Sequence, residues 1–185
     1  MSAALVALTA TGLLSVAGQA TAQAAPPDLC IAANNRVVVQ MGTATCQATG
    51  TGSTAIARGA NSNAVATGEH NRASATGTNS NAYATNGNHN TATANGDMSS
   101  ATAGFGNNNT ATANGTNSTA NADDGNNTAT ARGDNSHATA FQGNNNTATA
   151  RGDNSIASAI GGDATATARG GCNASAGPGQ TVTCP

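Results

Sequence analysis

Residues 128–150 read TATARGDNSHATAFQGNNNTATA, and this stretch decides the fold. It begins and ends with the tetrapeptide Thr-Ala-Thr-Ala, which occurs five times in the chain, starting at Thr91, Thr110, Thr128, Thr147 and Thr165. The steps between these starts are 19, 18, 19 and 18 residues. Self-similarity at a fixed period of this length is the signature of stacked repeats.

Each period divides into two halves, and each half reads as a turn followed by a short strand. Half A is Gly-x-x-Asn-x-Ala-x-Ala, as in residues 106–113, and half B is Gly-x-Asn-Ser-x-Ala-x-Ala, as in residues 133–140. Alternate side chains of a strand point to opposite faces, so the alanines of each half share one face. A Gly every 8–10 residues, followed by Asn, argues against a helix.

The alanine pattern holds through all the repeats, at 26 positions. In half A they are Ala55, Ala57, Ala73, Ala75, Ala92, Ala94, Ala111, Ala113, Ala129, Ala131, Ala148, Ala150, Ala166 and Ala168. In half B they are Ala64, Ala66, Ala82, Ala84, Ala101, Ala103, Ala120, Ala122, Ala138, Ala140, Ala157 and Ala159. The pattern predicts an all-β fold, a two-sheeted parallel β-solenoid with 18–19 residue coils and a thin alanine core.

The composition limits what else the chain can be. It has no Trp and no Lys, two Phe and one Tyr, and only 8% charged residues, so it cannot build a core from large side chains. Disorder is the alternative for such a chain, but disordered chains usually carry high net charge, whereas here the net charge is −2 and the patterning is strict. Six scattered Arg and few aromatic residues give no basis for binding nucleic acid.

The first 24 residues predict a secretion signal peptide. A mildly apolar run, residues 3–18, is followed by Ala22-Gln23-Ala24, the small-x-small pattern of a cleavage site, although residues 1–18 contain no Lys or Arg. Polar residues interrupt the run, so we expect no membrane span in the mature chain. The expected organisation is a signal peptide (1–24), an N-terminal cap (25–52), solenoid repeats (53–170) and a C-terminal cap (171–185), in a secreted or cell-surface protein.

Four Cys lie in two local pairs at the two ends of the repeats. Six or more coils at about 4.8 Å each separate the ends by roughly 30 Å, whereas bridged Cα atoms lie within about 7 Å. The pairing predicted is therefore Cys30 with Cys46 and Cys172 with Cys184, so that a disulfide staples each cap.

The outward positions of the two halves differ. In half A, the coils from Thr91 onward carry only threonine, and this set is the candidate binding site: Thr91, Thr93, Thr110, Thr112, Thr128, Thr130, Thr147, Thr149, Thr165 and Thr167. In half B the outward residues are irregular and include Tyr83, His137 and Ile156. Thr is stiff at χ1, so the half-A face is expected to be a flat lattice of fixed methyl and hydroxyl groups.

With this Thr-x-Thr pattern on an alanine core, residues 91–168 resemble the Thr-x-Thr β-solenoid antifreeze proteins. The resemblance implies that the threonine lattice orders water in an ice-like spacing and adsorbs to ice. The earlier coils depart from the pattern, with Ile56, Arg72 and Ser74 on the same face. Thr also suits exposed strand positions in general, so a merely soluble strand surface is an open alternative.

Two weaker resemblances are to structural proteins. The Gly-x-x-Asn-x-Ala segments, as in residues 106–111 and 143–148, are similar to curlin repeats, which imply secretion and polymerisation into fibres. The flanking glutamines of curlin repeats are missing, apart from Gln142. A looser similarity is to the Gly/Ser/Ala repeats of trimeric autotransporter adhesin heads, which implies contact with host cells.

Other motifs point to turns. Arg132-Gly133-Asp134 and Arg151-Gly152-Asp153 spell an integrin-recognition tripeptide, but each falls where a strand ends and a turn begins. His70 and His89 lie in matching turns one coil apart and could stack near each other, but the further ligands of a metal site are missing, so solvated turn residues are expected.

Function is expected to be non-catalytic, because no paired carboxylates or Ser/His/Asp set lie in a conceivable cleft, and no cofactor is implied. The leading hypothesis is binding of an ordered surface, most specifically ice, by the threonine face. The alternative is a curlin-like or adhesin-like structural protein that self-associates into fibres or contacts host cells.

Overall fold

The computed structural model describes residues 27–185, so the predicted signal peptide, 1–24, lies outside the described residues. The described chain forms 18 β-strands and no helix. The strands are β1 (Leu29–Ala33), β2 (Arg36–Met41), β3 (Thr45–Thr49), β4 (Thr54–Arg58), β5 (Asn63–Thr67), β6 (Arg72–Thr76), β7 (Asn81–Ala84), β8 (Thr91–Asn95), β9 (Ser100–Gly104), β10 (Thr110–Asn114), β11 (Thr119–Asp123), β12 (Thr128–Arg132), β13 (His137–Phe141), β14 (Thr147–Arg151), β15 (Ile156–Ile160), β16 (Thr165–Arg169), β17 (Asn173–Ala176) and β18 (Thr181–Cys184).

From β3 onward the strands alternate between two sheets, as the two halves of the repeat predict. Sheet A has ten strands in the order β18-β16-β14-β12-β10-β8-β6-β4-β1-β2, and sheet B has eight in the order β17-β15-β13-β11-β9-β7-β5-β3. All pairings are parallel except those of β1, which is antiparallel to both β2 and β4. The predicted all-β, two-sheeted parallel β-solenoid is confirmed.

The core is the predicted alanine layer. All 26 inward alanines of the repeats are buried, and equivalent alanines pair in register along each sheet, as Ala111 does with Ala92 and Ala129. The terminal strands add Cys30, Ala32, Ala48, Ala174 and Ala176 to the same layer. Alanine favours helix on its own, so the packing of methyl groups between stacked strands overrides its propensity here.

Glycine is required where turns of successive coils stack. Gly133 has a φ of 117°, a conformation that side chains with a Cβ rarely adopt. A Cβ there would also collide with the backbone of Gly152, one coil further on. The turns can therefore approach closely enough for backbone bonds to run between them, such as the 2.8 Å bond from the N–H of Gly152 to the carbonyl of Arg132.

A disulfide joins neighbouring elements at each end, with the predicted pairing. Cys30 of β1 is bonded to Cys46 of β3, linking the two sheets, with the Cα atoms 5.6 Å apart. Cys172, just before β17, is bonded to Cys184 of β18, with the Cα atoms 6.2 Å apart. Such bridges are consistent with an extracellular protein. None of the described segments forms a helix long and apolar enough to cross a membrane.

Candidate functional site: the threonine face of sheet A

The outward surface of sheet A, called face A, carries the ten predicted threonines in two straight columns. One column contains the first threonine of each Thr-x-Thr pair and the other contains the second. Thr110 pairs with Thr91 on one side and Thr128 on the other, and Thr112 pairs likewise with Thr93 and Thr130. Neighbours are about 4.8 Å apart across strands and about 6.6 Å apart along a strand. The two columns therefore form a regular lattice.

Strand β18 extends this lattice by a row that the repeat did not reveal. Thr181 pairs with Thr165, and Thr183 pairs with Thr167, so both columns continue onto a sixth adjacent strand. Both added side chains are exposed. The step from Thr165 to Thr181 is only 16 residues, shorter than the period, and an inward Val182 replaces the usual alanine. The sequence feature that could have identified this row is the Thr-x-Thr spacing, which is present in Thr181-Val182-Thr183.

The lattice of twelve threonines on β8, β10, β12, β14, β16 and β18 is called the threonine grid below. It ends at β6, where Arg72 lies beside Thr91 and Ser74 lies beside Thr93. On the next strand, β4, Thr54 and Ile56 occupy the same columns. The departures seen in the sequence thus mark one edge of a contiguous surface, and the open edge of β18 marks the other.

The hydroxyl groups of the grid are not engaged by the protein. The side-chain hydrogen bonds of residues 27–185 include none from these twelve hydroxyls. The strand threonines whose hydroxyls are bonded lie on the other sheet. There Thr45 donates to Asn63 at 3.0 Å, and Thr139 lies 2.8 Å from the Nε2 atom of His137. Asn63 in turn donates to the Tyr83 hydroxyl at 3.0 Å. The grid therefore offers its hydroxyls to solvent or to a bound surface, whereas sheet B bonds several of its outward groups to one another.

A buried column of asparagines lies at the corner before strands β6, β8, β10, β12 and β14 of sheet A. Its members are Asn71, Asn90, Asn109, Asn127 and Asn146, all fully buried. The Oδ1 atoms of the first four accept the backbone N–H of the Asn in the next coil, as Asn90 does from Asn109 at 2.9 Å, and that of Asn146 accepts the N–H of Ala164 at 3.1 Å. The amide nitrogens donate to turn carbonyls, as Asn90 does to Gly106 at 2.8 Å. These bonds tie successive coils of sheet A together.

The other motifs take part in turns. The Asp134 carboxylate accepts the backbone N–H of Thr116 at 2.8 Å, and the Asp153 carboxylate accepts that of Asp134 at 2.9 Å. Both Arg-Gly-Asp segments therefore use Asp to brace the preceding coil, as the turn interpretation expects. His70 and His89 stack with their ring centroids 5.0 Å apart. Residues 27–185 contain no group of three or more His, Cys, Asp or Glu that could hold a metal ion.

Two groups with shifted pKa values lie on sheet B. Burial lowers the pKa of His137 below its usual value. Burial, with a further contribution from the neighbouring Asp124, raises the pKa of the Asp123 carboxyl, whose Oδ1 atom is buried without a hydrogen-bond partner. The grid itself contains no titratable side chain, so its charge does not change with pH.

Comparisons of this chain with protein-family models, with curated proteins and with solved structures found no match.

Proposed function

We propose that the threonine grid binds ice. The observation that carries the proposal is the uniformity of the twelve outward residues on six adjacent, in-register strands. Each position offers a methyl and a hydroxyl group at a fixed orientation, because χ1 of a β-branched residue is restricted. Such a surface can hold water molecules in a repeating arrangement, which suits a crystalline partner better than a single molecule.

The charge of the grid supports the same conclusion. Its two threonine columns are neutral. The arginines of the same strands lie outside these columns, at the strand ends, where Arg132, Arg151 and Arg169 are neighbours in register. A surface that recognised a polyanion would place cations where the contact is centred. A neutral lattice of methyl and hydroxyl groups instead matches a neutral ordered solid such as ice.

Rigidity is the third support. An adsorbing lattice must keep its spacing while water molecules exchange, since a flexible surface would lose entropy on binding. The buried asparagine column and the continuous parallel ladders hold the strands of sheet A in register. The disulfide between Cys172 and Cys184 holds the last row.

The experiment measures thermal hysteresis and ice recrystallisation with the oxidised chain. A double variant, Thr130→Tyr with Thr149→Tyr, places two bulky rings in the centre of the grid and is expected to abolish both activities. Its melting temperature should stay close to the unmodified value, because both side chains point outward.

Thr102→Tyr on sheet B is the matched control. Thr102 is an outward strand residue whose register neighbour is already a tyrosine, Tyr83, so the sheet accommodates the ring. This variant should keep full ice activity. An unmodified chain without thermal hysteresis, or equal losses from both substitutions, would contradict the proposal.

Self-association into fibres is the second candidate, favoured by the open edge of β2. Val37 and Val38 there are 54% and 66% exposed, and an unpaired strand edge can template pairing with another copy. A bulge in the pairing of β1 with β2 works against this, because bulges twist an edge strand away from a partner. Thioflavin-positive fibres formed by the oxidised chain at neutral pH would favour this candidate.

A further inference from the structure

A depression of about 240 Å³ lies on face A at β6, directly beside the threonine grid. Three neighbouring strands line it, with Thr54 and Ile56 from β4, Arg72 and Ser74 from β6, and Thr91 and Thr93 from β8. It shares Thr91 and Thr93 with the first row of the grid, but Thr54, Ile56, Arg72 and Ser74 lie outside the grid, and the proposed ice binding does not use them.

The depression arises where the threonine pattern breaks. Ser74 lacks the γ-methyl group of threonine, while Ile56 and Thr93 stand on either side of it in register. The backbone beneath is correspondingly less covered: Ala73 is 3% exposed, whereas the other inward alanines of sheet A between β4 and β16 are fully buried. One side of the hollow is therefore formed by the hydrocarbon side chain of Ile56, and the other side carries the hydroxyls of Thr91 and Thr93.

Arg72 supplies the charge of the depression. Its register neighbours are Thr54 and Thr91, and the outward residues of the two flanking strands include no carboxylate. The nearest acidic residue in sequence, Glu69, lies in the preceding turn, where its backbone N–H is bonded to Asn88 of the next coil at 3.0 Å. Arg72 is exposed and lines the hollow, so its guanidinium donors are within reach of a ligand in a hollow that is otherwise neutral.

We propose that this depression binds a carboxylate, with Arg72 as the ion-pairing residue. A guanidinium binds a carboxylate through two parallel hydrogen bonds, and this geometry is specific as well as strong. The hydroxyls of Ser74, Thr91 and Thr93 are placed to contact further oxygens of the ligand, and Ile56 provides an apolar wall. The volume is below that of a drug-sized pocket, so the ligand is small or is one unit of a longer chain.

An acidic sugar has this combination of groups, with a carboxylate, ring hydroxyls and an apolar ring face. It can come from a free sugar acid or from an acidic polysaccharide, and both present the same chemistry to Arg72. Because Arg72 lies outside the grid, a substitution of Arg72 is expected to weaken carboxylate binding without abolishing ice binding.

The test is an NMR titration of the ¹⁵N-labelled, oxidised chain with galacturonate, galactose and polygalacturonate. Galacturonate should shift the amide signals around Ser74 and Thr93, whereas galactose, which has the same ring without the carboxylate, should leave them in place. Polygalacturonate binding more tightly than the monomer at equal carboxylate concentration would assign the polysaccharide as the ligand. Equal affinity would assign the free sugar acid.

Two variants probe the depression, and a third variant serves as the control. Arg72→Gln should weaken galacturonate binding about tenfold or more, because it removes a charge-assisted pair. Ser74→Thr should also weaken binding, because the added methyl group narrows the hollow. Arg151→Gln removes an exposed arginine from the end of β14, away from the depression, and should leave the affinity unchanged.

Three results would overturn the proposal. They are equal shifts with galactose and galacturonate, an absence of shifts around Ser74 with either acidic ligand, and equal weakening by Arg72→Gln and Arg151→Gln. Thermal hysteresis of Arg72→Gln is measured in parallel and is expected to persist. An unmodified chain that binds galacturonate but shows no thermal hysteresis would refute only the function proposed for the grid.

Discussion

Sheets A and B have the same interior and different exteriors. Both place alanine at every inward position of the repeats, and both stack their strands in parallel register. Outside, sheet A carries threonine in two columns over six strands, while the same strand positions on sheet B hold His137, Tyr83 and Ile156 among others. The fold therefore tolerates many outward residues, and the uniformity of the threonine grid is not a requirement of folding.

The corners before the two sheets differ as well. Before sheet A, buried asparagines bond from coil to coil, as described above. Before sheet B, a column of buried serines bonds mainly within its own turn, as Ser118 does by donating to the carbonyl of Gly115 at 2.9 Å. The buried side chains that bond from coil to coil thus lie at the corner before sheet A, whereas at the other corner such side-chain bonds come mainly from exposed residues such as Asp97 and Asp134.

The largest expected effect comes from the interior that the two sheets share. Replacing Ala129 of sheet A with Leu inserts three carbon atoms into a layer that holds only methyl groups between the sheets. We expect a loss of at least about 3 kcal/mol in the free energy of unfolding, because such a core cannot repack around a larger side chain. Thermal unfolding followed by circular dichroism measures it.

Ala138→Leu of sheet B is the partner variant. Because both alanines are fully buried in one layer, the two losses should be similar. A variant that kept the original melting temperature would show that the sheets are further apart than methyl contact allows, which would contradict the alanine core as the basis of stability.

The next effect should distinguish the two corners. Asn109→Ala removes an Oδ1 atom that accepts the backbone N–H groups of Gly125 and Asn127, both at 3.1 Å, and an amide that donates to Gly104 at 2.8 Å. Each buried group left without a partner costs about 1–3 kcal/mol, so the total expected is about 3 kcal/mol or more. Urea unfolding measures the loss.

Ser118→Ala is the matched variant at the other corner. It leaves only the carbonyl of Gly115 without its side-chain donor, and the expected loss is about 1 kcal/mol. Amide hydrogen exchange should also differ, since Asn109→Ala opens neighbouring coils of sheet A whereas Ser118→Ala affects its own turn. Equal losses from the two variants would show that the asparagine column does not bind the coils together.

A smaller effect should come from lengthening the grid. Replacing Arg72 and Ser74 together with threonine converts β6 into a seventh Thr-x-Thr strand next to β8. Thermal hysteresis should increase, because a larger contiguous lattice adsorbs more firmly, and galacturonate binding should disappear with Arg72.

Asn121→Thr on sheet B is the control. It places a threonine between Thr102 and Thr139 and should leave ice activity unchanged. An increase from the sheet B variant would contradict the assignment of activity to one face.

Much of this arrangement could be predicted from the sequence because the alanine parity is strict. Position in the repeat alone assigned each of the 26 alanines to the interior and each grid threonine from Thr91 to Thr167 to the exterior. The disulfide pairing followed from the length of the solenoid between the two Cys pairs. These inferences depend on periodicity, which is a property of the chain itself.

The remaining features depend on contacts that periodicity does not encode. The threonines of β18 were not predicted to join the grid, because the step of 16 residues from Thr165 to Thr181 departs from the period. Their register is set by how the final turn closes rather than by the repeat. The full burial of Asn109 and its equivalents was not predicted, since Asn is usually exposed and only stacked turns supply the backbone partners it needs. The depression at β6 likewise appears only when the side chains of three strands are placed together.

The smallest expected effect concerns pH, and it should be confined to sheet B. The raised pKa of Asp123 means that the folded state holds this proton more tightly than the unfolded chain does. Its ionised form therefore destabilises the fold at neutral pH, and this destabilisation is relieved as the pH falls through the raised pKa towards the ordinary value of about 3.9. Asp123→Asn should raise the free energy of unfolding at pH 7 and have little effect below the ordinary pKa.

His137 should act in the opposite direction. Its lowered pKa means that the unfolded chain binds the proton more readily, so stability is lost as the pH falls through the ordinary value of about 6.5 towards the folded one. Exchange rates of sheet B amides, corrected for the intrinsic effect of pH, should therefore rise first on acidification, and His137→Gln should remove that rise. The two threonine columns of the grid strands carry no titratable side chain. Exchange of the amides of these strands should therefore not rise on acidification and should not respond to His137→Gln. A parallel loss of protection in β10 and β12 would mean that the two sheets open together, in which case the asparagine corner does not give sheet A a stability of its own.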